Sequence, residues 1–290
     1  MIDYEKTKAW NSGEVRHSFT EKDTILYALG LGICDDPMNR EQLGFVYEKD
    51  LVAMPTMVAV LASPGSWMRD RQEFGIDYLK LVHGEQSITL HRTLPIAGTV
   101  IGRSRVVRIV DKGEGKGAVM HVEKTLHEER SGDHLATAEQ VLFLRGDGGF
   151  SQGGGGDDPA TPLPKAPESA PHFVVELPTR ADAALLYRLS GDLNPLHIDP
   201  SVAAKAGFAR PILHGLATYG IAGHGVLKAF CDYDPTRLKE IRARLSSPVF
   251  PGETLVLECW RVSDDEVAFQ GRVKERDVQV LSNGRARIGR

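Results

Sequence analysis

The chain has 290 residues, of which 41% are apolar and 26% charged, and its formal charge is −4 at pH 7. This balance is typical of a globular protein, and it argues against long disorder and against the basic surface that nucleic-acid binding needs. A charged N-terminus, no long apolar run and three widely spaced cysteines argue against a signal peptide, a membrane span and a disulfide framework. We therefore expect a cytoplasmic protein without nucleic-acid or membrane partners.

A segment rich in glycine and proline divides the chain near its middle. Seven glycines lie within residues 146–156 and five prolines within 159–171. Glycine makes a chain flexible and proline makes it extended, so the composition indicates a linker. It predicts an N-terminal half at 1–145, a linker at 146–172 and a C-terminal half at 173–290.

The two halves share an order of elements. Each opens on a threonine that predicts a helix start, Thr20 in one and Thr179 in the other, and each helix carries a tyrosine, Tyr27 or Tyr187. Strands with alternating apolar residues follow the helices, which predicts an α+β unit with an antiparallel sheet in each half. Further predicted elements are strands at 118–126, 135–144, 254–262 and 266–273, and helices at 179–190, from Pro200 and near 215–230. A gene duplication explains this pattern, and the alternative is two unrelated α+β domains.

The chemistry-bearing segment lies early in the second half. Asp192 follows a predicted helix, Pro195 forces Asn194 into extended geometry, and Asp199 with Pro200 predicts the next helix start. Asp192, Asn194 and His197 should therefore lie on a short rigid loop. A carboxylate and an imidazole there can converge on one water molecule, as general acid–base chemistry requires. The alternative is that Asp192 and Asn194 cap turns and that His197 is a core histidine.

A second candidate element is the glycine that opens the long predicted helix. A helix N-terminus carries unpaired N–H groups, and glycine lets an oxygen approach them without a Cβ in the way. Gly215 therefore suits an oxyanion hole, although close packing between helix and sheet explains a glycine equally well.

Together the two elements resemble a known family. Tyr187-Arg-Leu-Ser190-Gly-Asp192-Leu-Asn194-Pro-Leu-His197, followed by Pro-Ile-Leu-His-Gly215, resembles the motif of the R-specific, type-2 enoyl-CoA hydratases of the MaoC-like group. Similar segments in the first half, among them Tyr27-Ala-Leu-Gly and Met54-Pro-Thr, extend the resemblance to nearly the whole chain. It points to the two-domain form of the family.

The resemblance implies a double hot-dog fold, in which each half has a long helix wrapped by a curved antiparallel sheet. Asp192 and His197 would be the acid–base pair, Asn194 would orient the water or the pair, and the Gly215 amide would hold the thioester oxygen. The reaction would be reversible hydration of a trans-2-enoyl-CoA to an (R)-3-hydroxyacyl-CoA, without a metal or redox cofactor, since coenzyme A belongs to the substrate. The alternatives are a 3-hydroxyacyl-thioester dehydratase acting on acyl carrier protein or a specialised CoA thioester, and a non-catalytic acyl-CoA-binding protein.

Other residues are weaker candidates for substrate binding. The motif includes Tyr187 and Ser190, Glu48 matches an acidic residue that the family needs in its first half, and Arg210 could meet coenzyme A phosphates. We expect structural roles for His214, His224 and the His83–Gln86 segment. The first half has Asp35 and Asp36 after its helix but no partner histidine, so we expect one active site per chain, an acyl pocket formed partly by the first half, and a possible homodimer.

Overall fold

The computed structural model describes residues 2–36, 38–153 and 155–289. Met1, Pro37, Gly154 and Arg290, which fall within the predicted halves and linker, lie outside the described residues. No helix in the described part of the chain is long and apolar enough to cross a membrane.

One antiparallel sheet of ten strands runs through both halves, in the order β1-β3-β4-β5-β2-β7-β10-β9-β8-β6. The first half contributes the first five strands of that order and the second half the remaining five. The strands are β1 Val15–Phe19, β2 Leu81–Leu90, β3 Gly98–Asp111, β4 Ala118–Glu128, β5 His134–Leu144, β6 Phe173–Pro178, β7 Leu238–Leu245, β8 Thr254–Arg261, β9 Glu266–Val273 and β10 Val278–Ile288.

The halves are joined at the centre of this sheet by strands β2 and β7. Their register pairs Glu85 with Arg244 and Ile88 with Ile241. The Glu85 carboxylate accepts a hydrogen bond from Arg244 Nε at 3.0 Å. Because the ladder is continuous across the seam, the two halves fold as parts of one structure, which the sequence alone did not indicate.

Six α-helices accompany the sheet in the described part of the chain, and one of them is the longest at 16 residues. They are α1 Tyr4–Lys8, α2 Glu21–Gly30, α3 Trp67–Asp70, α4 Ala183–Tyr187, α5 Pro200–Lys205 and α6 Gly215–Phe230. Thr20 caps α2, as predicted, with Asp23 closing a capping box. The helix start predicted at Thr179 is wrong, because that hydroxyl donates to Glu253 O at 2.7 Å and α4 begins only after Asp182.

Helix α6 is buried along most of its length, and its glycines permit close contacts. A Cβ at Gly225 would lie 2.7 Å from Leu257 of the sheet, which agrees with the expected helix–sheet approach. At Gly220 and Gly223, however, a Cβ would lie 2.6 Å from Leu31 and from Thr56. Those two glycines therefore allow side chains of the first half to pack against α6, so the helix packs in the core of both halves.

The expectation of a long central helix in each half is wrong for the first half, whose described residues contain none. Only a 3₁₀ helix, Pro55–Ala59, occupies the corresponding place. Ala62 adopts a left-handed φ of 48° shortly after it, and the chain continues into Pro64 and Gly65, which cannot extend a helix. The buried ammonium of Lys124 donates to the carbonyl oxygens of Val58, Ala59 and Leu61 at 2.6–3.2 Å and stabilises this short segment.

The glycine- and proline-rich segment is mostly extended and is hydrogen-bonded to both halves. Asp157 accepts from Lys8 Nζ and from Ile109 N, which lie in the first half. Trp260 Nε1 donates to Ser169 O at 2.7 Å in the second half. The composition therefore predicted an extended connection, and these contacts fix its course along the sheet.

Candidate active site

The loop between α4 and α5 is held rigid by its own side chains. Asp192 Oδ1 accepts from Asn194 N at 3.1 Å, and Asn194 Oδ1 accepts from Leu196 N at 3.1 Å. Pro195–His197 forms a 3₁₀ turn, and Asp199 caps α5 through Ser201 N at 2.8 Å. The capping roles considered as an alternative are therefore real, and they place Asp192 and His197 on a fixed frame.

His197 is buried with one ring nitrogen committed. Its side chain is 8% exposed, and Nδ1 lies 2.8 Å from the carbonyl oxygen of Ile212, so Nδ1–H donates there. Burial lowers the pKa of His197 below its usual value of 6.5, while the Ile212 carbonyl and the Asp192 carboxylate oppose the shift. A neutral imidazole in this tautomer presents the Nε2 lone pair as a proton acceptor.

Asp192, His197 and His214 converge. One oxygen or nitrogen atom from each lies within 4.8 Å of the others, and Asp192 is the member most accessible to solvent. Among the described residues no other histidine, cysteine or carboxylate group converges closely enough to hold a metal ion. The expectation that no metal takes part stays a prediction, which metal chelation tests.

His214 is a member of this group that the sequence did not single out. Its ring stacks on the ring of His197 with centroids 3.7 Å apart, and its Nε2 lies 3.1 Å from the backbone oxygen of Asp192. The expectation that His214 packs rather than reacts agrees with these contacts. The residues that His214 contacts are the two candidate catalytic residues, Asp192 and His197. The place of His214 directly before Gly215 was the available signal.

Gly215 begins helix α6 next to this cluster. Its N–H donates to no group among the described residues, as expected for the first position of a helix. A Cβ at this position would lie 2.8 Å from Leu245 Cδ1, so the glycine also has a packing reason. The close contact supports the packing explanation, and the oxyanion role of this N–H stays a prediction.

Tyr187 and Ser190 lie beside the cluster with unpaired hydroxyl groups. Tyr187 is fully buried, its ring centroid is 5.0 Å from that of His214, and its hydroxyl has no partner among the described residues. Ser190 Oγ is likewise unpaired and borders a cavity of about 120 Å³. The cavity has lining residues from both halves, including Phe19, Leu26, Met57, Leu61 and Leu189.

The structure does not bring Glu48 or Arg210 into the cluster. Glu48 lies on an exposed turn, and no hydrogen bond or ion pair joins it to the described site residues. Arg210 is exposed and lies over the Phe250 ring at 4.9 Å, where Arg276 also lies at 5.0 Å. Both remain predictions as substrate-binding residues.

The first half contributes His83 to the surroundings of Asp192. Its Nε2 lies 3.0 Å from Glu85 O, and burial lowers the pKa of His83 to about 4 against the opposing charge of Asp192. A structural role was expected here, and the hydrogen bond agrees with one. The influence of the Asp192 charge on this imidazole was not predicted from the sequence.

In the described part of the first half, the place that corresponds to the candidate catalytic loop carries no comparable cluster. Asp35 and Asp36 are exposed and accept hydrogen bonds only from neighbouring backbone groups, Asp36 N and Met38 N. Among the described residues, the cluster of Asp192, His197 and His214 is the only convergent group of three or more such side chains.

Comparison with known proteins agrees with this geometry. A model of the MaoC like domain matches residues 162–284, and a model of the MFE-2 hydratase 2 N-terminal domain matches 17–146. The chain is 40% identical to enoyl-CoA hydratase 2, peroxisomal, of Arabidopsis thaliana over 93% of this chain and 90% of that protein. It is 37% identical to probable enoyl-CoA hydratase 2 of Dictyostelium discoideum over 99% and 97%. It is 39% identical to 3-hydroxyacyl-thioester dehydratase Y of Mycobacterium tuberculosis over 89% and 88%.

Solved structures show the same architecture. The MaoC-like dehydratase of Phytophthora capsici superposes with a TM-score of 0.86 at 32% identity, covering 100% of this chain and 99% of the other. A Mycobacterium tuberculosis protein described as a double hotdog fold, 15% identical, superposes with a TM-score of 0.56 over 94% of this chain and 93% of that one and shows the fold alone. The chain has the double hot-dog fold and belongs to the MaoC-like hydro-lyases that include enoyl-CoA hydratase 2.

Proposed function

We propose that this protein hydrates trans-2-enoyl-CoA thioesters reversibly to (R)-3-hydroxyacyl-CoA at a single site in its second half. The observation that carries the proposal is the convergence of Asp192 and His197 within 4.8 Å on a loop fixed by its own hydrogen bonds. A positioned carboxylate and imidazole can exchange protons with one water molecule and with the adjacent carbon.

The chemistry needs two proton movements and no net change in the enzyme. The water oxygen bonds to C3 while His197 Nε2, left free by the hydrogen bond from Nδ1 to Ile212 O, accepts a water proton. The C2–C3 π electrons move toward the thioester oxygen, and the acid–base pair then returns one proton to C2. Asp192 stabilises the imidazolium formed in between, and Asn194 keeps the Asp192 loop in place.

The developing oxyanion calls for a donor at the thioester oxygen. We assign this role to the unpaired N–H of Gly215, because it opens α6 and follows a residue that contacts both Asp192 and His197. Loss of one such donor costs on the order of 3–4 kcal/mol of transition-state stabilisation in other enzymes.

The acyl chain has an apolar path next to this loop. We propose that it enters the cavity lined by Phe19, Leu26, Met57 and Leu61 of the first half and by Leu189 of the second. The short Pro55–Ala59 helix supports this role, because a helix as long as α6 would occupy more of that space. Ser190 lines the same cavity. Tyr187 lies beside His214 instead, whereas Glu48 and Arg210 have no comparable support.

The experiment follows the absorbance of a conjugated enoyl thioester after the protein is added. Loss of the conjugated band, followed by oxidation of the product by an (R)-specific 3-hydroxyacyl-CoA dehydrogenase, is the expected result. Tight binding without absorbance loss would contradict hydration and favour a binding protein. A product oxidised only by an (S)-specific dehydrogenase would contradict the stereochemical assignment. Enoyl-CoA substrates of rising length then define the acyl preference.

A second candidate is the same reaction in the direction of dehydration. The similarity to a 3-hydroxyacyl-thioester dehydratase favours it. The site accommodates both directions, since the reaction is reversible and uses the same two groups. Comparing CoA and acyl-carrier-protein thioesters of one 3-hydroxyacyl group distinguishes the carrier.

We retain the homodimer and the cytoplasmic location as predictions. Light scattering on the purified chain measures the first. Several relatives are named as peroxisomal, so imaging of the tagged full chain is needed for the second.

A further inference from the structure

His214 touches both members of the candidate acid–base pair. The side chain is 1% exposed. Its ring lies against the ring of His197 with an interplanar angle of 27°, while Nε2 reaches the backbone oxygen of Asp192. No step of the proposed reaction uses this imidazole, yet it connects the two residues that the reaction requires.

The hydrogen bond fixes the tautomer of His214. A carbonyl oxygen can only accept, so Nε2 carries the proton and Nδ1 carries the lone pair. Nδ1 is buried and has no partner among the described residues, so a second proton there would have no acceptor. Burial and His197 lower the pKa of His214 to about 4, with Arg188 acting in the same direction and Asp192 opposing. The imidazole therefore stays neutral when His197 is protonated.

The contacts of His214 reach three parts of the site. Its donor holds the main chain of Asp192, its ring face limits rotation of His197, and its own carbonyl accepts from Ala217 N and Thr218 N in the first turn of α6. A shift of this side chain would move the carboxylate, the imidazole and the start of the helix relative to each other. Displacements of about 1 Å in such constellations can lower rates by about 10²-fold.

We propose that His214 is a positioning residue for the hydration reaction, which holds Asp192 by its Nε2–H and His197 by ring stacking. The proposal rests on the proposed function, because it concerns how that acid–base pair is aligned. It assigns no proton transfer to His214. The two contacts can be removed separately, since one needs a donor and the other needs a flat ring.

Three variants separate the contacts. His214→Phe keeps a ring and loses the donor, His214→Gln keeps an amide donor near the position of Nε2 and loses the ring, and His214→Leu loses both. The matched control is His224→Gln. His224 is a buried histidine like His214, and it lies within α6 with an unpaired Nε2. It contacts none of the proposed catalytic residues. Circular dichroism and thermal melting establish the folded fraction of each variant.

The expected result is a loss in kcat with little change in KM. We expect kcat to fall about 10-fold in His214→Phe and about 10²-fold in His214→Leu, with partial rescue in His214→Gln. In a His197→Gln background the loss from His214→Phe should shrink to about twofold, because the residue acts through that pair. His224→Gln should keep kcat per folded molecule.

Two outcomes would overturn the proposal. One is that the folded His214→Phe and His214→Gln variants both retain wild-type kcat. This result is decisive even if His214→Leu fails to fold. The other is a loss that multiplies fully with His197→Gln, since His214 would then act independently of the pair. Wild-type protein without hydratase activity would instead contradict the proposed function itself, before any variant is compared.

Discussion

The two halves share a sheet architecture but differ where the central helix lies. In the second half α6 spans Gly215–Phe230 and starts beside Asp192, His197 and His214. In the first half the same place holds the 3₁₀ helix Pro55–Ala59, which the ammonium of Lys124 caps from the sheet. Under the proposed function, this difference leaves the acid–base pair in the second half and space for the acyl chain in the first.

The largest expected effect comes from removing the imidazole of the candidate acid–base pair in the second half. His197→Gln keeps an amide of similar size but abolishes the Nε2 base, so turnover should fall at least about 10²-fold. Adding Asp192→Asn should worsen this far less than multiplicatively, because both groups serve one water. Steady-state kinetics with trans-2-enoyl-CoA measure both variants. Near-wild-type turnover in folded His197→Gln would refute the assignment.

The helix start offers the next test of the difference between the halves. Gly215→Ala places a Cβ next to the proposed oxyanion donor and 2.8 Å from Leu245 Cδ1. We expect a fall in kcat of roughly 10²-fold. Leu245→Ala removes the packing conflict, so the double variant should regain stability but not turnover. Melting temperature and turnover per folded molecule separate the effects, and recovery of full turnover in the double variant would make Gly215 a packing glycine only.

Substitution of Lys124 tests whether its hydrogen bonds stabilise the short Pro55–Ala59 segment of the first half. Lys124→Met removes the donor to three carbonyl oxygens, and leaving buried acceptors unsatisfied should lower the free energy of unfolding by about 3 kcal/mol. Lys116→Met, at an exposed hairpin position, is the matched control. Urea denaturation gives both values. Equal stability of the two variants would show that the Pro55–Ala59 segment does not depend on this cap.

The pH dependence sharpens the comparison further, because His197 is buried whereas Asp35 and Asp36 in the first half are exposed. In the proposed mechanism the base form of His197 is the active one, and burial lowers the pKa of His197 below 6.5. The value of kcat/KM should therefore fall as the pH decreases, with its midpoint below 6.5. Circular dichroism at each pH excludes unfolding as the cause. A midpoint above 6.5 in folded protein would contradict a base with this buried environment.

Local sequence signals predicted much of the site and less of the assembly around it. The Asp-x-Asn-Pro-x-His motif also forms the turns of its own loop, since Asp192 and Asn194 accept hydrogen bonds from the backbone N–H groups of that loop. Gly215 was likewise recognisable as a helix start. The pairing of β2 with β7 was not, because it joins residues far apart in the chain.

The family resemblance implied a long helix in each half, so it did not predict that the described first half lacks one. This absence follows from Pro55, from the left-handed Ala62 and from a lysine on β4 more than sixty residues away. The proposed positioning role of His214 was not predicted either, because it depends on contacts with the Asp192–His197 loop, which lies earlier in the chain. Sequence patterns thus describe the elements, while the contacts between elements decide which side chains meet.

The most direct test compares the two acidic loops by the same substitution. Asp192→Asn and Asp35→Asn each remove one charge at the equivalent place of a half, and turnover of trans-2-enoyl-CoA is measured for both. Asp192→Asn should lose at least about 10²-fold, while Asp35→Asn should stay within about threefold of wild type. Equal large losses in both folded variants would contradict the claim that the chemistry belongs to the second half alone.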